Sequence, residues 1–554
     1  MSPALSKDAH SPVRRVRKVA GKFWNKGTYG ACSDQVEQER RRSQLEHRGR
    51  QISRKRCLRD RKGRIGRFRK HYLSTEELSR LAAYQNSGTD LSITYRYVLS
   101  PIYARLVELL PKSIAPNSVT LAGLVFTVTG HLAVVFLACD GGIRDIKSLA
   151  QWVLHAKLGL TGEPSNILKR SPNDSYVVSS LLSMPESCAS GSSARIAYGF
   201  SAFCLGMYQL LDNLDGRQAR RTGSSSPLGH FFDHGCDALN VTFAGLTFAL
   251  TAQFGWSLWT TVLLLFVGMM PFFFATLEEY FSGALVLREI NGPNEGLLLM
   301  QLLTWLTAIW GPAFWKRLVV VPVFPSSIFS KHICLPSAVI SILSSGGYLE
   351  IALSRSEWSM YHEMLRNRRA VALPLNRLFF LFTLLPVLPT VISNFITIFR
   401  NGSQLSESQR KLRRRHLVRL AVAYSFPFFT LAIAMIGWPL CSPAVVLANG
   451  LLYHWLCGLT FFYICSRLIL AHLTSSVYGS AFPALIPLWA GFLNALLGRP
   501  LPEFLVLLTS FLFILFIVSR RVVGVVREIS TFLGIRPFSI VGASSERMHG
   551  TDSR

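Results

Sequence analysis

Between Asp212 and Asp237 the chain reads D-N-L-D-G-R-Q-A-R-R-T-G-S-S-S-P-L-G-H-F-F-D-H-G-C-D. Four carboxylates in it, Asp212, Asp215, Asp233 and Asp237, have the type and spacing to do chemistry. The first two are three residues apart and the last two are four apart, so on helices each pair shares one face. Two such ladders facing each other would hold hard divalent cations, Mg²⁺ or Mn²⁺, through oxygen ligands. Gly216, Ala219 and Gly229 keep bulk away from the ladders, and Arg220 offers a forked cation suited to phosphate. One acidic residue at a helix end is usually just solvated. Four in this register, at the junction of two apolar runs, mark a functional site at a membrane edge.

The elements that must position these residues are membrane helices. Half of the 554 residues are hydrophobic, 16% are charged and the mean hydropathy is +0.31. A soluble chain would carry about a quarter charged residues. The pattern predicts an all-α, polytopic membrane bundle of about ten spans of the length needed to cross a bilayer. They fall near 117–138, 195–213, 237–254, 256–276, 297–310, 376–399, 419–439, 443–466, 482–498 and 502–519. The second runs straight into the acidic motif and the third leaves it at Asp237. Ahead of the first, Ser74 and Glu77 form a capping-box pattern. Ser100-Pro101 reads as the N-cap and first turn of a short helix ended by Pro111, with Ile102, Leu106 and Leu109 on one stripe. Ten residues are too few to span, so this helix is expected to lie in the membrane interface.

Residues 1–70 carry 22 Lys/Arg against 6 Asp/Glu, more than half of the chain's net charge of +28. Few aromatics interleave with them, which favours a cytosolic, membrane-proximal tail (1–71) meeting anionic lipid over a nucleic-acid-binding arm. With that tail in the cytosol, the motif, the 277–296 connector, a basic loop at 410–416 and a tail opening at Arg520-Arg521 fall on the same side. The long loop 313–373, with Arg366, Arg368 and Arg369, runs against the charge rule. The membrane domain is expected over 72–540, interrupted by insertions at 139–190 and 313–373, with a second tail at 541–554. The ten cysteines include no C-x-x-C pair, so neither a disulfide framework nor a zinc site is expected, and no cleaved signal peptide precedes the first span.

The motif resembles the CDP-alcohol phosphotransferase signature, D-x2-D-G-x2-A-R-x8-G-x3-D-x3-D, and meets all eight fixed positions within 26 residues. Five further segments resemble the eukaryotic choline/ethanolamine phosphotransferase branch. They are Y-L-S-T-E-E-L at 72–78, I-A-P-N-S-V-T at 114–120, E-E-Y at 278–280, N-G-P-N-E-G at 291–296 and A-H-L-T at 471–474. The likeness covers about 72–312 and 376–540. Arg217 stands where relatives usually have Lys, and His230 where they usually have Glu.

The resemblance implies transfer of phosphocholine or phosphoethanolamine from CDP-choline or CDP-ethanolamine to diacylglycerol, releasing CMP. It implies Mg²⁺ or Mn²⁺ on Asp212, Asp215, Asp233 and Asp237. Asp237 is the family-level general base, and His234 is its rival, since an imidazole titrates near neutrality without giving up a metal bond. Gly216, Ala219, Arg220, Gly229 and Asn117 would hold the CDP part. Glu279, Tyr280 and Glu295 would meet the aminoalcohol, or else shape the turn around Gly292-Pro293. Diacylglycerol would enter sideways from the bilayer. The resemblance places the enzyme in the endoplasmic reticulum or Golgi, with the site facing the cytosol and a homodimer left open. Two rivals remain: a CDP-diacylglycerol-dependent phosphatidyltransferase, and an ion-coupled transporter using the Asp cluster as an ion site.

Overall fold

A computed structural model describes residues 71–84, 88–139, 191–322, 370–400 and 407–540. The chain divides into two units, Met1–Phe68 and Arg69–Arg554, and every described residue belongs to the second. The basic tail, almost all of the 139–190 insertion, most of 313–373 and the 541–554 tail lie outside the described residues.

The fold is helical. In chain order the helices are α1 (Thr75–Ala82), α2 (Ser100–Leu109), α3 (Pro116–Ala133), α4 (Ser192–Arg221) and α5 (Pro227–Thr251). There follow α6 (Leu258–Leu263), α7 (Met270–Ser282), α8 (Leu297–Trp310), α9 (Leu375–Arg400), α10 (Glu407–Cys441), α11 (Ala444–Leu473), α12 (Phe482–Leu496) and α13 (Glu503–Leu533). Widened π turns extend α3 to Ala138 and join α6 to α7. A helix stands at each of the ten expected positions. Among the described residues, six are long and apolar enough to cross a membrane: Pro116–Ala138, Leu258–Ser282, Leu375–Phe399, Leu417–Cys441, Ala444–Leu473 and Glu503–Leu533. The chain is an integral membrane protein.

Several boundaries differ from the sequence reading, and each has a cause. The acidic motif is not a break between spans: α4 continues to Arg221 and α5 starts at Pro227, so all four Asp are helical. Ser226 caps α5 by accepting from Gly229 N at 3.1 Å, with Pro227 in the first turn. Ser100 is not an N-cap, because the π turn Tyr95–Leu99 leads into α2 and leaves the Ser100 hydroxyl free to accept from Arg217 at 2.8 Å. Leu99 of the π turn packs with Tyr103 and Val107 of α2 against Val119 and Leu214, while Ile102 and Leu109 point outward. Residues 410–416 are not a loop but lie inside α10. Nor does a tail open at Arg520: α13 runs on to Leu533 and Arg521 is buried, its guanidinium 5.4 Å from the Tyr463 ring. One cysteine departs from the expectation of no disulfides, since Cys139, just past the first span, is disulfide-bonded.

The Ser74–Glu77 capping box forms as its pattern predicts, at 3.2 and 2.7 Å. Two small strand pairs were not foreseen. β1 (Gly88–Asp90) pairs in parallel with β2 (Leu285–Leu287), tying the segment before α2 to the connector after α7. β3 (Leu318–Pro322) pairs antiparallel with β4 (Ala370–Pro374), which brings the two ends of the second insertion together.

Core packing relies on small residues that let helices approach. α3 lies along α4, α4 and α3 both touch α5, and α11 backs α5. A Cβ on Gly458 of α11 would sit 2.3 Å from Thr242 Cγ2 on α5. Buried polar side chains link the same helices: His131 of α3 meets Thr247 of α5 at 3.0 Å, and its Nε2 accepts from Trp455 Nε1 of α11 at 3.2 Å. Such interhelical contacts, rather than the hydrophobic effect, hold helices together in lipid. Gly458→Val should therefore lower stability by about 1–3 kcal/mol, the usual cost of overpacking, read as a fall in the thermal unfolding midpoint of the detergent-solubilised protein.

Candidate active site

The last turns of α4 and the first turns of α5 lie side by side, and their acidic faces meet. Asp212, Asp215 and Asp233 each bring a carboxylate oxygen within 4.8 Å of the others. Asp212 packs beside both Asp233 and Asp237. Asp215 is buried, and the other three are partly buried. Two hydroxyls donate into the group through short hydrogen bonds, Thr120 of α3 to Asp215 Oδ2 and Tyr208 of α4 to Asp237 Oδ1.

Carboxylates this close repel one another unless a cation answers them. Among the described residues none of the four makes an ion pair with Lys or Arg, and Asp212 Oδ1 is buried without a hydrogen-bond partner. An all-oxygen donor set with an orphaned oxygen fits a hard divalent cation.

The residues expected to hold the CDP part also come together. Asn117 opens α3 beside the start of α5, its Oδ1 3.6 Å from where a Cβ on Gly229 would lie. Its Nδ2 donates at 3.0 Å to the carbonyl of Pro537, just after α13. Phe538, next along, meets Phe232 of α5 edge-on at 5.5 Å. Gly216 leaves space on α4, with Arg220 Nη1 3.7 Å from where its Cβ would be, and the Arg220 side chain is exposed. Ala219 is partly exposed on the same turn. The end of α4 is fixed from outside: Arg221 donates to the carbonyls of Val107 and Leu110 at 2.7 Å, and Gln218 to those of Pro111 and Ile114 at 2.9 and 3.1 Å.

Glu279 of α7 does not face the connector turn. It is buried beneath α5, its Oε1 3.3 Å from His230 Nε2 and 3.7 Å from His472 Nε2 of α11, and its Oε2 3.7 Å from His234 Nδ1. Tyr84 meets His230 and His472 edge-on at 5.5 Å. Beside this group a cavity of about 470 Å³ is lined by Tyr84, Tyr280, Phe281, Leu417, Leu420 and His472. Glu295 lies apart from it and takes the turn-shaping role. It accepts from the Ser92 hydroxyl at 2.5 Å, Thr94 N at 3.2 Å and Asn291 N at 3.0 Å. Burial alone would raise the Glu295 carboxyl, but these hydrogen bonds outweigh it and hold the group below the usual carboxylate value.

Sequence reasoning missed Thr120, Tyr208, His472, Tyr84 and Pro537. Tyr208 had a signal, one helical turn before Asp212. Thr120 and His472 lay in segments already singled out. Pro537 had none, because nothing local links it to Asn117, 420 residues away.

An integral membrane protein of long helices, with a carboxylate cluster shared by two of them, is the class defined so far. A family model for CDP-alcohol phosphatidyltransferase matches residues 177–343, reaching into both insertions. Choline/ethanolaminephosphotransferases 1 and 2 of Arabidopsis thaliana are each 30% identical over 490 and 485 residues, 85% of this chain and 98% of theirs. Choline/ethanolaminephosphotransferase 1 of Saccharomyces cerevisiae is 28% identical over 241 residues, 44% of this chain and 49% of the yeast protein. This chain belongs to the CDP-alcohol phosphatidyltransferase family.

Thr120 orients a carboxylate that would itself hold a cation. Thr120→Val should weaken divalent-cation binding about 10–100-fold, as loss of such supporting contacts does, measured by Mn²⁺ titration of the purified protein with paramagnetic resonance detection.

Proposed function

We propose that this chain transfers phosphocholine or phosphoethanolamine from its CDP ester to the free hydroxyl of diacylglycerol, giving phosphatidylcholine or phosphatidylethanolamine and CMP. The carboxylate cluster of α4 and α5 carries the reading, in a chain that aligns along nearly the whole of the plant choline/ethanolaminephosphotransferases. Mg²⁺ or Mn²⁺ bound by Asp212, Asp215, Asp233 and Asp237 would neutralise the diphosphate oxygens and the departing CMP.

The chain's own residues position and exchange protons. Asn117 and the open surfaces at Gly216, Ala219 and Gly229 receive the cytidine and diphosphate, with Arg220 at the exposed edge for phosphate. The ammonium end lies in the aromatic cavity against Tyr84 and Tyr280, whose rings suit a quaternary cation. The diacylglycerol hydroxyl loses its proton to His234, and its oxygen attacks the phosphorus bearing the aminoalcohol. The bond from that phosphorus to the bridging oxygen breaks, and CMP leaves with the electron pair. His234 is preferred to Asp237 as base for two reasons. Glu279 stands 3.7 Å from His234 Nδ1 to orient the ring, and Asp237 is already engaged by Tyr208 and a ligand by role.

The site is proposed to face the cytosol of the endoplasmic reticulum or Golgi. The disulfide at Cys139, on the far side of the first span from the motif in this topology, suits an oxidising lumen.

Microsomes from a host lacking its own enzymes, given diacylglycerol, Mg²⁺ or Mn²⁺ and labelled CDP-choline or CDP-ethanolamine, should yield phospholipid and CMP, and the product ratio names the alcohol. His234→Ala should lose about 100-fold or more in rate, the scale of general-base catalysis. Activity that survives His234→Ala but not Asp237→Ala returns the base to the aspartate. Product only from CDP-diacylglycerol would replace the reading with a phosphatidyltransferase.

A further inference from the structure

Beneath the carboxylate cluster lies a second group of possible ligands with different chemistry. His230 comes from α5, Glu279 from α7 and His472 from α11, and one donor atom of each lies within 4.8 Å of the others. His230 and Glu279 are buried, and His472 is partly buried with only 8% of its side chain exposed. Both ring nitrogens of His230, and Nε2 of His472, have no hydrogen-bond partner. His230 is only 7% exposed, so water does not serve it from bulk. Two imidazoles that approach one buried carboxylate at 3.3 and 3.7 Å without completing a hydrogen bond to it are what a ligand set looks like before its ion is added.

We propose that His230, Glu279 and His472 form a site for a divalent transition-metal ion, with Zn²⁺ as the best fit, separate from the all-carboxylate cluster. Two imidazoles and one carboxylate suit zinc, whereas Mg²⁺ prefers oxygen ligands throughout. The geometry agrees. Zinc–ligand bonds of about 2.0–2.2 Å make the edge of a tetrahedron roughly 3.4 Å long. The separations from Glu279 Oε1 to the two histidines are 3.3 and 3.7 Å. Glu279 Oε1 faces both of them, while Oε2 stays with His234, so the ion need not displace the contact that orients that ring. An open position remains for a fourth ligand, and His472 lines the adjoining cavity, which gives the ion a way in. Bound there, the ion would clamp α5, α7 and α11 together behind Asp233.

The test uses the full chain, purified in detergent, in excess Mg²⁺ so that the carboxylate cluster is filled. After Zn²⁺ is added and free metal is removed by gel filtration, elemental analysis should find about one zinc per chain. His230→Ala and His472→Ala should each lose it, and Asp215→Asn should keep it. Zinc that persists in both alanine variants, or is lost in Asp215→Asn alone, places it in the carboxylate cluster and overturns the proposal. So does the absence of bound zinc in the parent. If an alanine variant does not fold, the thermal unfolding midpoint of the parent and of His472→Gln decides. A rise with Zn²⁺ over Mg²⁺ alone in the parent, absent from the variant, supports the site; an equal rise in both, or none, overturns it. Metal content is read without turnover, so failure here leaves the transfer reaction untouched.

Discussion

Four carboxylates can be kept close together and partly out of water only if their mutual repulsion is met by a rigid frame and by positive charge. The frame comes first. α4 and α5 are unbroken helices across the motif, so the spacings of three and four residues become fixed distances. Hydroxyls from Thr120 and Tyr208 hold two of the groups by hydrogen bonds. What they do not supply is charge, which a cation bound among the four carboxylates would bring. The surrounding structure serves the same end. Arg221 and Gln218 anchor the end of α4 through the carbonyls of α2 and the turn after it, and glycines allow α11 to press against α5 from behind.

The motif therefore sits in a stack. On one side, the start of α3 meets the residues after α13. On the other, Glu279 gathers three histidines and borders an aromatic cavity. Charge, nitrogen ligands and rings succeed one another within a few side-chain lengths. An arrangement of that order suits a substrate with a diphosphate at one end and a cationic head at the other.

The parts of this legible in the sequence were those written in short-range spacing. The acidic register on α4 and α5, the capping box at Ser74 and the placement of ten helices all follow from periods of three to seven residues. The ends of helices were harder to place. The second span was expected to end near 213 and 410–416 to be a loop, yet α4 continues to Arg221 and 410–416 lies inside α10, because charge does not itself end a helix. Arg521 was read as the start of a tail and is instead buried over Tyr463, a contact invisible without the fold. His472 and Glu279 were each noticed in separate segments, but their convergence on His230 depends on how three helices cross.

The Asn117–Pro537 contact has a consequence for how the protein is made. Its partners are 420 positions apart. Helices α3, α4 and α5 can enter the bilayer and find one another early in synthesis, but Asn117 gains this partner only once residue 537 has been translated. At roughly 5–20 residues per second, that interval lasts tens of seconds. Polypeptides halted between α5 and α13 would carry all four aspartates and still lack this contact. The contact that ties the start of α3 to the segment after α13 is thereby made late in synthesis, long after the helices that carry the carboxylates are in place.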